Sequence, residues 1–147
     1  MSNNLQGRVI AIVGPAVDVE FGSHLHEIMN ALLTDITDPV TKTTASVTLE
    51  VQQHLGENRV RCVSMQPTEG MIRGQVVTDT GAAINVPVGP ETLGRIMNVV
   101  GLPIDERGPI GHKMTLPIHR EAPKYEELNT TSEMFETGIK VDRKSVV

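Results

Sequence analysis

The sequence predicts a mainly β protein that begins with a small closed barrel of six strands. Three observations carry that reading. Short runs alternate apolar and polar residues with the period of a half-buried strand. Gly, Pro, Asn and Asp punctuate these runs at regular intervals. The core has to be built from Val, Ile, Leu and Met, because the 147 residues hold only two Phe, one Tyr and no Trp, and β-branched residues favour strands.

Gly7 to Val13 is a largely apolar run closed by the turn marker Gly14-Pro15. Ala16 to Phe21 alternates, with Val17, Val19 and Phe21 on one face and Asp18 and Glu20 on the other. Ile28 to Leu33 is the third run, and Asp35 to Thr44, containing Asp38-Pro39, is read as a polar loop. Ala45 to Val51 alternates again, with Val47, Leu49 and Val51 facing inward. Gly56-Glu57-Asn58 is a hairpin loop into Arg59 to Met65, where the double apolar step Cys62-Val63 predicts a bulge. Gly74 to Val77 is the sixth strand. Closure of six short strands removes exposed edges, although a sandwich fits the same pattern nearly as well.

After Gly81 the texture changes. Ile84 to Val88 reads as extended. Gly89-Pro90-Glu91 puts Pro at a first helical position and an acid in the first turn, and Leu93, Ile96 and Met97 then form one face of a short helix. Gly94 inside that helix implies a close approach. Gly101, Pro103, Gly108 and Pro109 frame a turn-rich connector, Met114 to Ile118 is a short strand, and Glu121 to Asn129 is loop. Thr130-x-x-Glu133 fits a capping box that would start a helix at Glu133 to Phe135.

Composition excludes several functions. A net charge of −5 argues against non-specific nucleic-acid binding. Cys62 is alone and cannot form an internal disulfide, and in an alternating run it is read as a buried, inert thiol. The N-terminus carries neither a secretory nor an Arg-rich transit pattern, and the apolar run from Val9 to Val17 is too short to span a bilayer, so the chain is expected to be soluble.

No catalytic, cofactor or metal residue emerges from the motifs. A phosphate loop needs Gly for close backbone approach and a terminal Lys-Ser/Thr, and neither Gly89 to Gly94 nor Gly101 to Gly111 ends that way, so both are turns. His24-x-His26 has the spacing of a strand metal pair, but no further ligands lie at zinc-like spacing, so it is read as a solvated loop pair. His54, His112 and His119 are single and scattered. Asp105-Glu106 reads as a turn and Glu126-Glu127 as solvated, and no Ser or Cys has an evident base.

The segments GRVIAIVGPAVDVEF (7–21), GPETLGRIMNVVGLPIDERGPI (89–110), HREAP (119–123) and ETGIKV (136–141) together resemble the catalytic beta subunit of F-type ATP synthases. The LGR…N…G.PID skeleton is shared with alpha-type subunits and type III export ATPases, and the HREAP and ETGIKV spellings point to beta. The resemblance implies a crown barrel over residues 1–78, the incomplete opening of an α/β P-loop nucleotide-binding domain over 79–141, and a non-native tail over 142–147. DRKSVV is what a common sequencing-library adapter encodes, so the tail is expected to be read-through, with a true frameshift or truncation as its rival.

The resemblance further implies a parent complex that makes ATP from ADP and phosphate with a transmembrane proton gradient. That complex lies peripherally on the cytoplasmic face of the bacterial inner membrane or its organelle equivalent. Its partners are alternating alpha subunits in a three-plus-three ring and a central stalk, with no nucleic acid and no direct membrane insertion by this chain. ATP, ADP and Mg belong to the full-length parent. The phosphate-loop Lys and Thr, the general-base Glu and the Mg ligands match no residue here, so this polypeptide alone is expected to be inactive, with a barrel that folds and a remainder prone to mobility or aggregation. The rivals are a fragment of a sister rotary or export ATPase or alpha-type subunit, and a free-standing β-barrel interaction module.

Overall fold

A computed structural model describes residues 5–22, 26–37, 42–111, 113–128, 131, 134–135 and 145–146. Six strands form a closed antiparallel barrel in the order β1-β2-β5-β4-β3-β6. They are β1 (Gln6–Val13), β2 (Ala16–Phe21), β3 (Asn30–Thr37), β4 (Thr44–Gly56), β5 (Arg59–Ser64) and β6 (Val76–Ala83). Closure is made by β1 and β6, with Gln6, Gly7 and Arg8 opposite Thr78, Val77 and Val76. Every strand is thereby paired on both sides, which settles the barrel against the sandwich.

The interior follows from the alternation. Val17, Val19 and Phe21 of β2, Val47, Leu49 and Val51 of β4, and Val60 and Cys62 of β5 all lie in one buried cluster with Val9, Leu32 and Val77. Packing at one end is tight. A Cβ on Gly7 would lie 2.8 Å from both the Phe21 ring and the Val19 side chain, so the one aromatic of the barrel fits only because residue 7 has no side chain. The β4–β5 hairpin turns through Glu57 (φ 52) and Asn58 (φ 59), a two-residue type I′ loop whose twist suits the flanking strands.

Several sequence expectations change. The third strand does not cover Ile28 to Leu33: Ile28 and Met29 are a turn, Met29 has φ 73, and the strand runs from Asn30 to Thr37. Its polar half, expected to be loop, is held because Thr34 Oγ1 donates to the Val76 carbonyl and Ile36 enters the core. The bulge lies not in β5 but opposite it. Cys62 and Arg61 face Val51 and Gln53 of β4, so Gln52 is the extra residue and β5 keeps its alternation, with Val63 pointing out. The sixth strand starts later and extends through residue 78 to Ala83.

Beyond the barrel, β7 (Asn85–Val88) pairs with β8 (Met114–Pro117). The helix expected over Leu93 to Met97 is only a 3-10 turn at Pro90–Thr92, with Pro at its start and Glu91 in the turn. Leu93 is extended, Gly94 has φ 70, and Leu93 and Ile96 are exposed, so no packing supports a helix there. Met134 and Phe135, expected to begin a helix, form a two-residue strand β9 paired with β10 (Ser145–Val146). The capping-box residues Thr130 and Glu133, the ETGIKV segment and most of the 142–147 tail lie outside the described residues. Among the described residues, no helix is long and apolar enough to cross a membrane.

Candidate interaction surfaces

Outward positions of β2 and β5 meet as cross-strand pairs: Ala16 with Val63, Asp18 with Arg61, and Glu20 with Arg59. Arg61 grips Asp18 through Nε at 2.8 Å and Nη2 at 2.9 Å. Arg59 Nε donates to Glu20 at 2.9 Å, and Glu57 stands 3.5 Å from its Nη1. Hydrogen bonds to these carboxylates, then their charge, hold both guanidiniums above the ordinary arginine range. At the hairpin end of this wall is a surface depression of about 590 Å³ lined by Arg8, Glu20, Phe21 and Glu57 among others.

The strand order places the β3–β6 ladder diametrically opposite. There the outward side chains include Leu33 and Val76, which are exposed. The barrel therefore carries two flanks of different chemistry, one salt-bridged and one partly apolar. A heterologous contact uses two unlike patches, and the rotation between copies decides whether it closes into a ring.

On the wall of β4 between those flanks, Glu50 is covered by the chain itself. Glu50 alternates with the inward Leu49 and Val51, yet its side chain is only 3% exposed. His119 Nε2 lies 2.8 Å from Glu50 Oε2, and Gln52 Nε2 donates to Oε1. His119, read from sequence as scattered, is thus brought onto the barrel. The Pro117-to-Glu127 stretch around it borders a groove of about 690 Å³ that Arg120 and Lys124 also line.

His26 is not solvated. It is 2% exposed, its ring lies tilted against Phe21 with centroids 3.7 Å apart, and Nδ1 bonds Asp79 Oδ2. Asn30 Nδ2 donates to the same oxygen at 3.2 Å, and the Gly81 amide donates to Oδ1 at 2.8 Å. His54 Nε2 donates to the His26 carbonyl at 2.6 Å. The cluster staples the start of β3 and the middle of β6 to the segment entering β3. Nothing in local sequence joins residue 26 to residue 79, so only the topology reveals it. His24 and His112 lie outside the described residues.

Asp105 sits in a turn, as expected, but Arg95 clasps it through Nε at 2.7 Å and Nη2 at 3.0 Å. The Ile96 and Arg107 amides donate to it as well, each at 3.2 Å. The Arg95 bond, aided by those amides, holds the Asp105 carboxyl well below the usual carboxylate range. Glu106 follows with φ 56. Glu126 and Glu127 are exposed in a 3-10 turn at Tyr125–Glu127. Gly94, Gly101 and Gly108 all have positive φ, in keeping with turns. Burial pushes the Cys62 thiol up to about 12, helped by the charges of Asp18 and Asp79, which fits an inert core thiol.

Among the described residues, no group of three or more His, Cys, Asp or Glu could hold a metal ion. Residues 9–81 match the family model described as ATP synthase alpha/beta family, beta-barrel domain. That span runs from β1 into β6 and so takes in nearly the whole barrel.

Proposed function

We propose, from a barrel whose residues 9–81 match the beta-barrel domain of the ATP synthase alpha/beta family, that this chain is the crown-bearing N-terminal part of a beta-type subunit of an F-type enzyme. That family builds oligomeric ATP synthase and ATPase complexes from related subunits, which is the premise for everything finer. The barrel is a ring-forming element. It packs between two alpha-type neighbours in a three-plus-three ring and keeps the ring closed while the parts below it move around a central stalk. The parent complex couples a transmembrane proton gradient to ATP formation from ADP and phosphate, at the cytoplasmic face of a bacterial membrane or the organelle equivalent.

The observation that carries this reading is the pair of unlike flanks, β2–β5 and β3–β6, on opposite sides of one closed barrel. The HREAP and ETGIKV spellings favour beta over alpha and over the export ATPases. Phosphoryl transfer rests on positioning by a phosphate loop and metal ligands, and the 147 residues contain no GxxxxGK[ST] motif. The chain by itself therefore neither binds ATP specifically nor hydrolyses it.

Mixing the full chain with purified alpha-type subunits from the same source tests the assignment. Native mass spectrometry should find mixed oligomers, and isothermal titration should find no saturable ATP binding by the chain alone. A chain that stays monomeric beside folded alpha subunits overturns the ring reading. Saturable binding at micromolar ATP overturns the claim of inactivity.

A further inference from the structure

We propose that the outer wall of β4 is a docking site for this chain's own segment 117–119, with the Glu50–His119 pair as a latch that fastens the post-barrel arm to the barrel. This inference does not depend on the ring reading. Glu50 is an outward residue of a strand whose neighbours Leu49 and Val51 fill the core. An outward carboxylate of an isolated barrel would sit in water at no cost. Here it is buried to 3% exposure, and the covering group comes from a residue 69 positions later.

Burial of a carboxylate is unfavourable unless it is paired and hydrogen-bonded. Glu50 has both kinds of support: the His119 ring at 2.8 Å on one oxygen and Gln52 on the other. Gln52 belongs to the wall and His119 to the arm, so docking the arm completes a half-made site. Next to the latch, the Ile118 amide donates to the Ile84 carbonyl at 3.0 Å, and Ile84 is buried. The arm is thus held by a backbone bond at its root and a charged bond at its tip. Because the His119 side chain is 41% exposed, the latch opens toward solvent rather than into the core.

The two ends of the contact respond differently to opening. When the arm lifts, Glu50 regains water and His119 loses only one bond, so lifting leaves the barrel ladder intact. The arm is therefore a strap with a defined closed position, and the barrel and the arm act as one body only while the strap is closed.

Hydrogen exchange on the full chain tests this, reading the Ile118 amide against the amides of β5. His119→Ala should speed Ile118 exchange by about 10-fold, the effect of losing a hydrogen bond to a charged group, with β5 unchanged. His119→Gln, which keeps an N–H donor at similar reach, should restore most of the protection. The Glu50→Gln/His119→Ala double variant should be no faster than His119→Ala, because both changes remove the same contact. Unchanged Ile118 exchange in His119→Ala overturns the latch. Equal acceleration in β5 also overturns it, since that reports loss of the barrel itself. His119 is part-exposed, so its variants keep the test decisive if a Glu50 variant fails to fold.

Discussion

His26 and Asp79, 53 positions apart, are hydrogen-bonded inside the barrel, Nδ1 to Oδ2, with side chains 1% and 2% exposed. The pair ties the chain entering β3 to the middle of β6, the strand that completes the ring of hydrogen bonds. Asp79 also receives Asn30 and the Gly81 amide. Asp79→Ala removes the acceptor for three buried or part-buried donors at once. Urea unfolding should show a loss of about 3 kcal/mol, the scale for breaking a buried polar pair. A loss below about 1 kcal/mol, the range of an ordinary surface substitution, would mean that water replaces the carboxylate freely.

Gly7→Ala places a methyl group 2.8 Å from the Phe21 ring and from Val19. The ring is also packed against His26, which limits its room to shift. Overpacking of this kind costs about 1–3 kcal/mol. Thermal unfolding should report it as a clear drop in midpoint, and Phe21→Leu in the same background should recover part of the loss by vacating ring volume.

Alkali should destabilise the fold through Cys62. The thiol titrates at 9.0 when exposed and at about 12 when folded, with desolvation the largest cause. Between those values the unfolded chain has released a proton that the folded chain still holds. Stability is then unaffected below pH 9 and declines as pH rises toward 12, by at most about 1.4 kcal/mol per pH unit. Comparing urea midpoints of wild type and Cys62→Ala through this window isolates the contribution: the difference between them should shrink with rising pH. A constant difference would refute the assignment.

The Arg95–Asp105 clasp makes an opposite prediction at acid pH. Asp105 has its carboxyl pKa lowered from 3.8, chiefly by Arg95. A depressed folded value means that the contribution is complete above 3.8 and disappears as pH falls below it. The amides of Ile96 and Arg107, both donors to this carboxylate, should therefore stay protected on mild acidification and open together only below that value. Asp105→Ala, which removes both acceptor oxygens, should expose both at neutral pH while leaving the barrel amides untouched.

Some of this was legible in sequence for a simple reason: period-two alternation speaks for itself where one face is buried and the other wet. β2 matches its expected bounds, and Val47, Leu49 and Val51 of β4 face inward as read. The misreadings share a cause. Asp35 to Thr37 are mostly polar and read as loop, yet the strand continues because Gln75, just before β6, and Val76 of β6 supply partners to Thr34 and Asp35. Ile28 and Met29 are apolar and looked like strand, yet lie exposed in a turn. A bulge does lie beside Cys62, as the double apolar step predicts, but it is on the facing strand β4, and β5 keeps its alternation with Val63 outward.

The interaction surfaces were less legible. Asp18 and Glu20 were read correctly as outward, but their pairing with Arg61 and Arg59 depends on register. His26 reads as one of a solvated pair and His119 as single, because each finds its carboxylate on a strand far away in sequence, at Asp79 and Glu50. Short histidine spacings carry information about metals; they carry none about partners supplied by topology.

The pairing of β1 with β6 has a consequence for how the protein is made. The first strand of the barrel finds one of its two neighbours only when the last has been synthesised. With about 70 residues between their starts and synthesis at about 5–20 residues per second, β6 trails β1 by roughly 4 to 14 s. During that interval β1 and β3 each present an open edge, since β6 is the missing neighbour of both. The nascent chain is therefore most vulnerable to misassembly before residue 83 emerges, and a holding factor on the ribosome would have its greatest effect in that window.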